Sequence, residues 1–149
     1  MENEEGGGPR NGRVEFGMDT STGLFALTMA GTGDPGLVRG NQTDGYYLAI
    51  EPGENWTITF GLDPRRGWSF DDPAITFKDP KNAEYYTIIS ASPTTVVMQA
   101  RSTHPKPIPK PWPGVDHPFN LHLRVKQSDK VSYGLIIDPD LKNPPPNGG

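Results

Sequence analysis

The sequence predicts an all-β protein: a two-sheet antiparallel β-sandwich, immunoglobulin-like with Greek-key connections, of about nine strands. Three observations point there. Glycine (18) and proline (17) make up nearly a quarter of the 149 residues, and both weaken helix interiors. Apolar and polar side chains alternate with period 2 in several segments, most clearly in Phe119-Asn120-Leu121-His122-Leu123-Arg124-Val125-Lys126. There one face is apolar and the other polar, the mark of a strand with one buried side. Finally, the connections have hairpin length, and no segment of ten or more residues carries a helical period.

Strands are expected near 13–19, 23–30, 45–51, 55–62, 74–78, 84–91, 94–102, 119–127 and 131–138. In the first, Val14, Phe16 and Met18 alternate with Arg13, Glu15 and Gly17. Asp19-Thr20-Ser21-Thr22-Gly23 turns it into the second. In the fourth, Trp56, Ile58 and Phe60 alternate with Thr57 and Thr59. Ala91-Ser92-Pro93-Thr94 separates the sixth strand from the seventh, and Gln127-Ser128-Asp129-Lys130 the last two. Asp-Pro occurs at residues 34, 63, 72, 79 and 138, and Glu51-Pro52 adds a sixth acid–proline step. Proline forces the preceding residue into an extended conformation while the acid caps a turn, so each step reads as a strand exit. His104-Pro105-Lys106-Pro107-Ile108-Pro109-Lys110-Pro111-Trp112-Pro113 is too proline-rich for a central strand. It reads as a stiff segment rising about 3.1 Å per residue, serving as a crossover, a dimer arm or a recognition motif.

This organisation is one sandwich domain over 13–142 with a proline-rich loop at 103–118. A disordered arm covers 1–12, which has no apolar side chain after Met1, and an extended tail covers 143–149. The net charge of −4, with no basic run longer than Arg65-Arg66, argues against nucleic acid and anionic lipid as partners. The absence of cysteine excludes disulfides, thiol catalysis and thiolate metal sites. With an acidic N-terminus and no apolar run near the ~20 residues of a membrane span, the expected location is cytoplasmic and no membrane partner is expected.

Candidate chemistry was sought among the remaining residues. His104, His117 and His122, with Asp116 and Asp138, invite a metal reading, because two histidines and a carboxylate can bind zinc or iron. His117 and His122 are the weak metal candidates: five residues apart, they would face opposite sides of one strand. Solvent-facing histidines beside Arg124 and Lys126 are the competing reading. Asp63, Asp71, Asp72 and Asp79 lack a D-x-D-x-D-G loop, and three of them precede proline, so turns account for them better than calcium. No G-x-S-x-G elbow occurs, and Gly31-Thr32-Gly33-Asp34-Pro35-Gly36 lacks the lysine of a phosphate loop. No catalytic residue and no cofactor is assigned. The speculative ligand-binding set is Trp68, Arg66, Asp71 and Trp112: tryptophans in loops flanked by Arg and Asp can stack on sugars and hydrogen-bond their hydroxyls. The same rings could instead plug the end of the sandwich.

The chain's ending, Leu135-Ile136-Ile137-Asp138-Pro139-Asp140-Leu141-Lys142-Asn143-Pro144-Pro145, resembles that of small uncharacterised bacterial proteins called the DP-EP family. The resemblance covers about ten residues. It implies a bacterial source and a β-sandwich, and no activity. Together these readings give the expectation of a non-enzymatic binding or structural module. It would pair with a second copy, through the 94–102 strand edge or the proline arm, or with another protein. A lectin-like carbohydrate binder is the alternative, and a metal-dependent sandwich enzyme the weaker one.

Overall fold

Alternation along the strands sorts the side chains into a core and a wet face, and this sorting builds the fold. The computed structural model describes residues 8–19, 26–41, 45–62 and 67–146. Along them run β1 (Gly8–Asp19), β2 (Ala26–Gly33), β3 (Val38–Asn41), β4 (Gly45–Ala49), β5 (Glu54–Leu62) and β6 (Trp68–Phe77). A 3₁₀ turn (Pro80–Tyr85) then leads to β7 (Tyr86–Ala91), β8 (Thr95–Arg101), β9 (Phe119–Lys126), β10 (Ser132–Ile137) and β11 (Asp140–Lys142). The protein is all-β, as expected. Among the described residues no helix is long and apolar enough to cross a membrane.

Three sheets form, in the orders β2-β1-β5-β8-β7, β10-β9-β6 and β11-β4-β3. The first two pack face to face. Phe60 of β5 lies 6.2 Å from Phe119 of β9, and Phe77 of β6 stacks 4.4 Å from Tyr86 of β7. Val14, Phe16, Trp56, Ile58, Phe60, Met98, Phe119 and Leu121 are buried in one core. Each side chain so buried contributes about 1.5–3 kcal/mol. The third sheet closes a flank, burying Leu48 and Leu141 completely.

Several expectations change. Most pairings are antiparallel, but β1 runs parallel to β5 and β11 parallel to β4. Short β3 and β11 were not foreseen, because four and three residues are too few to show a period. Residues 8–12, expected in a disordered arm, belong to β1: Gly8 to Gly12 pair with Glu54 to Ile58. Backbone pairing needs no apolar side chain, and a Cβ at Gly12 would strike Leu37 and Trp56. Residues 1–7 lie outside the described residues. Residues 68–73, expected in a loop, form the first half of β6. A register shift between Phe70 and Ile75, around Pro73, interrupts the pairing there and hid the strand. The 94–102 segment is no pairing edge, since β8 lies between β5 and β7. The proline-rich 102–118 segment connects the first sheet to the second, so it is a crossover. Of the tail, Asn143, Pro144 and Pro145 are buried rather than extended into solvent, and residues 147–149 lie outside the described residues.

Candidate functional site

The last described residues build a polar node at the end of the sandwich. Residues 115–117 run antiparallel to 141–144. His117 N–H donates to Leu141 O at 2.7 Å, Asn143 N–H to Val115 O at 2.8 Å and Val115 N–H to Pro144 O at 2.9 Å. This pairing brings His117 and Asn143 to the start of β7. There the 3₁₀ turn, capped by the Asp79 carboxylate on Lys81 N–H, delivers Tyr85 and Tyr86. Tyr86 is opposite Ala100 on the core face of β8, so its ring points inward and only 8 % of it is exposed. Tyr85, one residue earlier, remains half-exposed.

Asn143 organises the node. It is fully buried. Its Oδ1 accepts from Thr103 N–H at 3.0 Å, while its Nδ2 donates to Arg101 O and Tyr86 Oη, both at 3.0 Å. The backbone partners fix which end of the amide is which. Tyr86 Oη therefore accepts from Asn143, and its own hydrogen goes to His117 Nδ1, 2.7 Å away. Neutral His117 must then carry its proton on Nε2, which has no hydrogen-bond partner among the described residues.

The electrostatics follow from this packing. Burial lowers the His117 pKa, against the raising influence of Asp116 and Asp79. Burial raises the Tyr86 pKa, partly offset by the Asn143 hydrogen bond, so Tyr86 stays a neutral phenol. The Asp116 carboxylate accepts from Lys142 Nζ at 2.6 Å and raises the lysine pKa further, so Lys142 is held as a cation. Lys142 also lies 5.4 Å from the Tyr47 ring. Tyr85 stacks 5.7 Å from His117 and carries the Arg101 guanidinium 5.1 Å over its ring. Tyr86 and His117, whose ionisation shifts, are hydrogen-bonded to each other here, while Lys142, the third such group among the described residues, is paired with Asp116 and lies against the Tyr47 ring. A buried Tyr–His pair positioned by a third polar side chain is a candidate functional site.

The sequence-derived candidates are distributed differently. Arg66 lies outside the described residues. Trp68 pairs with Val125 near the end of β9 and packs against the core, half-buried. Asp71 pairs with Arg124 and borders a cleft of about 320 Å³ with Phe70, Asp72, Ala91, Ser92 and Pro93. Trp112 belongs to the segment leading into the opposite end of β9, with its indole N–H donating to Ile108 O at 3.1 Å within its own loop. Trp68 and Trp112 thus attach to opposite ends of one strand. The solvent-facing reading of the histidines fails for His117, which is buried, while half-buried His122 hydrogen-bonds Thr76 at 2.7 Å. Among the described residues no group of three or more histidines and carboxylates could hold a metal ion. Sequence reasoning missed Tyr86, Asn143 and Lys142. The available signals were an aromatic pair at a strand start and the Lys-Asn-Pro step after the final apolar residue.

The site is thus a buried Tyr86–His117–Asn143 hydrogen-bond network at one end of an all-β scaffold. The chain belongs to the family described as predicted novel nucleotide synthetase, whose family model matches residues 11–146. No curated protein matches the chain. The family membership overturns the expectation of a non-enzymatic, protein-binding, self-associating module, because the family is described by an activity. No motif contiguous in sequence announces the node, because its residues are spread over 79–143. The match does not bear on the DP-EP resemblance.

Proposed function

We propose that the chain forms a nucleotide product from a nucleoside triphosphate, with the Tyr86–His117–Lys142 node as its reacting centre. The observation that carries this reading is the buried Tyr86–His117 hydrogen bond positioned by Asn143, with the Lys142–Asp116 ion pair at the adjacent positions of the same two segments; the family's description supplies the reaction class. Transfer at phosphorus needs positioning and charge stabilisation more than covalent help from the protein. Lys142 supplies a permanent positive charge for phosphate oxygens. Neutral His117, held with Nδ1 accepting from Tyr86, offers Nε2–H as a donor to an oxygen that gains charge in the transition state. Tyr86 and Asn143 position the imidazole. A divalent cation arrives with the triphosphate as part of the substrate. Mg²⁺ bound mainly through phosphates and water needs only one or two protein carboxylates, and Asp116, which already neighbours Lys142 and His117, is the carboxylate at hand. A cytoplasmic setting, where triphosphates are supplied, fits a cysteine-free chain.

The test is product analysis by chromatography and mass spectrometry after incubating the full chain with Mg²⁺ and each of the four common ribonucleoside triphosphates. His117→Gln is expected to lower turnover by about 10²–10⁴-fold with an unchanged circular dichroism spectrum, and Tyr86→Phe to lower it less. If the wild type consumes no triphosphate, or both variants turn over at the wild-type rate, the proposal is wrong.

A further inference from the structure

Two consecutive tyrosines hold His117 in two different ways. Tyr86 meets the imidazole edge-on, at 84° and 5.8 Å between centroids, with its hydroxyl 2.7 Å from Nδ1. Tyr85 lies nearly parallel to the same imidazole, at 25° and 5.7 Å. The pair can do both because Tyr85 closes the 3₁₀ turn and Tyr86 opens β7, with their rings at 77° to each other. Tyr85 is itself held by Arg101. The Arg101 guanidinium lies 5.1 Å over the Tyr85 ring, and its Nη2 donates at 3.0 Å to the carbonyl of Glu84, the residue before Tyr85. Arg101 O also accepts from Asn143, which donates to Tyr86 Oη. Arg101 thus reaches His117 by two routes, through Asn143 and Tyr86 to Nδ1, and through Tyr85 to the face of the ring.

We propose that Tyr85, backed by Arg101, is a positioning residue for His117: its stacked ring sets the plane of the imidazole and thereby the direction of Nε2–H. The proposal rests on the nucleotide reading above, in which that hydrogen is donated to an oxygen gaining charge, and adds what aims it. Tyr85 and Arg101 act through His117 and are not catalytic residues themselves.

The need for a second holder follows from the geometry of the imidazole. Rotation about the Cβ–Cγ bond of histidine has broad wells, and the Tyr86 bond constrains only one atom of the ring, Nδ1. Hydrogen bonds weaken steeply only when their angle falls below about 120°, so a modest tilt leaves the Tyr86 bond made while swinging Nε2–H away from its target. A displacement of about 1 Å at a reacting group can cost about 10²-fold in rate. A ring packed on the imidazole resists such a tilt, because the tilt drives one edge of the imidazole into its neighbour. The Tyr85 hydroxyl has no hydrogen-bond partner among the described residues, so the ring is what this position contributes.

Two measurements on the full chain test the assignment: steady-state kinetics with the triphosphate that the wild type consumes, and ¹³C relaxation of the His117 ring without ligand. Tyr85→Leu is expected to lower kcat about 10- to 100-fold with KM within about twofold. It is also expected to move the order parameter of the His117 ring from the rigid towards the flexible range. Tyr85→Phe keeps the ring and is expected to restore both readouts. Arg101→Met replaces an exposed side chain and leaves the Tyr85 ring in place; it is expected to lower kcat about two- to fivefold, again at constant KM. An unchanged His117 order parameter or kcat in Tyr85→Leu, or a Tyr85→Phe variant as slow as Tyr85→Leu, overturns the positioning role, while turnover by the wild type keeps the nucleotide reading standing. Unchanged kcat in Arg101→Met overturns the backing by Arg101. A wild type that consumes no triphosphate overturns the nucleotide reading and the role built on it.

Discussion

Replacing Asn143 by alanine is the sharpest test of the node, because an extended tail and a buried keystone give widely separated outcomes. Asn143 is fully buried, and its side chain makes three hydrogen bonds, to Thr103 N–H, Arg101 O and Tyr86 Oη. Each such bond contributes about 1 kcal/mol net, and a buried partner left unsatisfied costs about 1–3 kcal/mol. Asn143→Ala removes all three bonds and leaves Thr103 N–H without its acceptor, so a loss of about 3–4 kcal/mol is expected. That is a large share of the ~5–15 kcal/mol that stabilises a domain. For a chain of this length it corresponds to a fall of roughly 6–16 °C in Tm. The assay is urea unfolding followed by tryptophan fluorescence, with the midpoint moving at constant slope. An exposed tail residue would change stability by only about 0.5 kcal/mol. A measured loss below about 1 kcal/mol would therefore refute the network as described, and with it the assigned tautomer of His117.

Other consequences can be measured on the same material. Because the folded pKa of His117 lies below its unfolded value, the unfolded state binds the extra proton between the two. The contribution of His117 to stability is thus complete above about pH 6.5 and is lost as pH falls through its folded pKa; His117→Gln should flatten that part of the Tm–pH curve. Gly40 has φ +89°, and a Cβ there would collide with the Gly45 carbonyl in the β3–β4 hairpin, so Gly40→Ala should cost at least about 2 kcal/mol in the urea assay. Trp112→Phe removes the indole donor to Ile108 O and should cost about 1 kcal/mol without changing nucleotide turnover.

How much of this was legible in the sequence depends on which physical signal each part obeys. The long strands obey period 2, and Phe119, Leu121, Leu123 and Val125 lie buried on one face as their spacing requires. Val14, Phe16, Trp56, Ile58 and Phe60 do the same. Segments whose structure comes from backbone pairing alone gave no such signal: Gly8 to Gly12 join β5 with scarcely a side chain to bury, and β11 has three residues. Parallel pairing of β1 with β5 is a long-range event with no local trace. The site was least legible. A solvent-facing His117 is one reading of the sequence, yet residues 141–144 cover the segment that carries it. Nothing in the neighbours of His117 in sequence announces Tyr86 or Asn143, which lie 31 residues before it and 26 after it.

The placement of the node at the sandwich's end has a physical reason. Within the sheets, alternation commits inward positions to apolar side chains, and a polar group there would lack partners. Burying Tyr, His and Asn together is tolerable only where backbone free of the ladder supplies the missing donors and acceptors, as Arg101 O at the end of β8 and Thr103 N–H just past it do. Those groups become available because the ladder stops there. The final segment then completes the arrangement, since Lys142 and Asn143 arrive only when β11 docks beside β4 and residues 115–117. Three residue pairs hold β11 to β4, and backbone hydrogen bonds to residues 115–117 hold its other edge. The Asn143 bond to Tyr86, which sets the direction of the Tyr86 hydrogen and with it the His117 tautomer, exists only with this segment docked. The protonation pattern of the node is thus tied to the docking of the last strand.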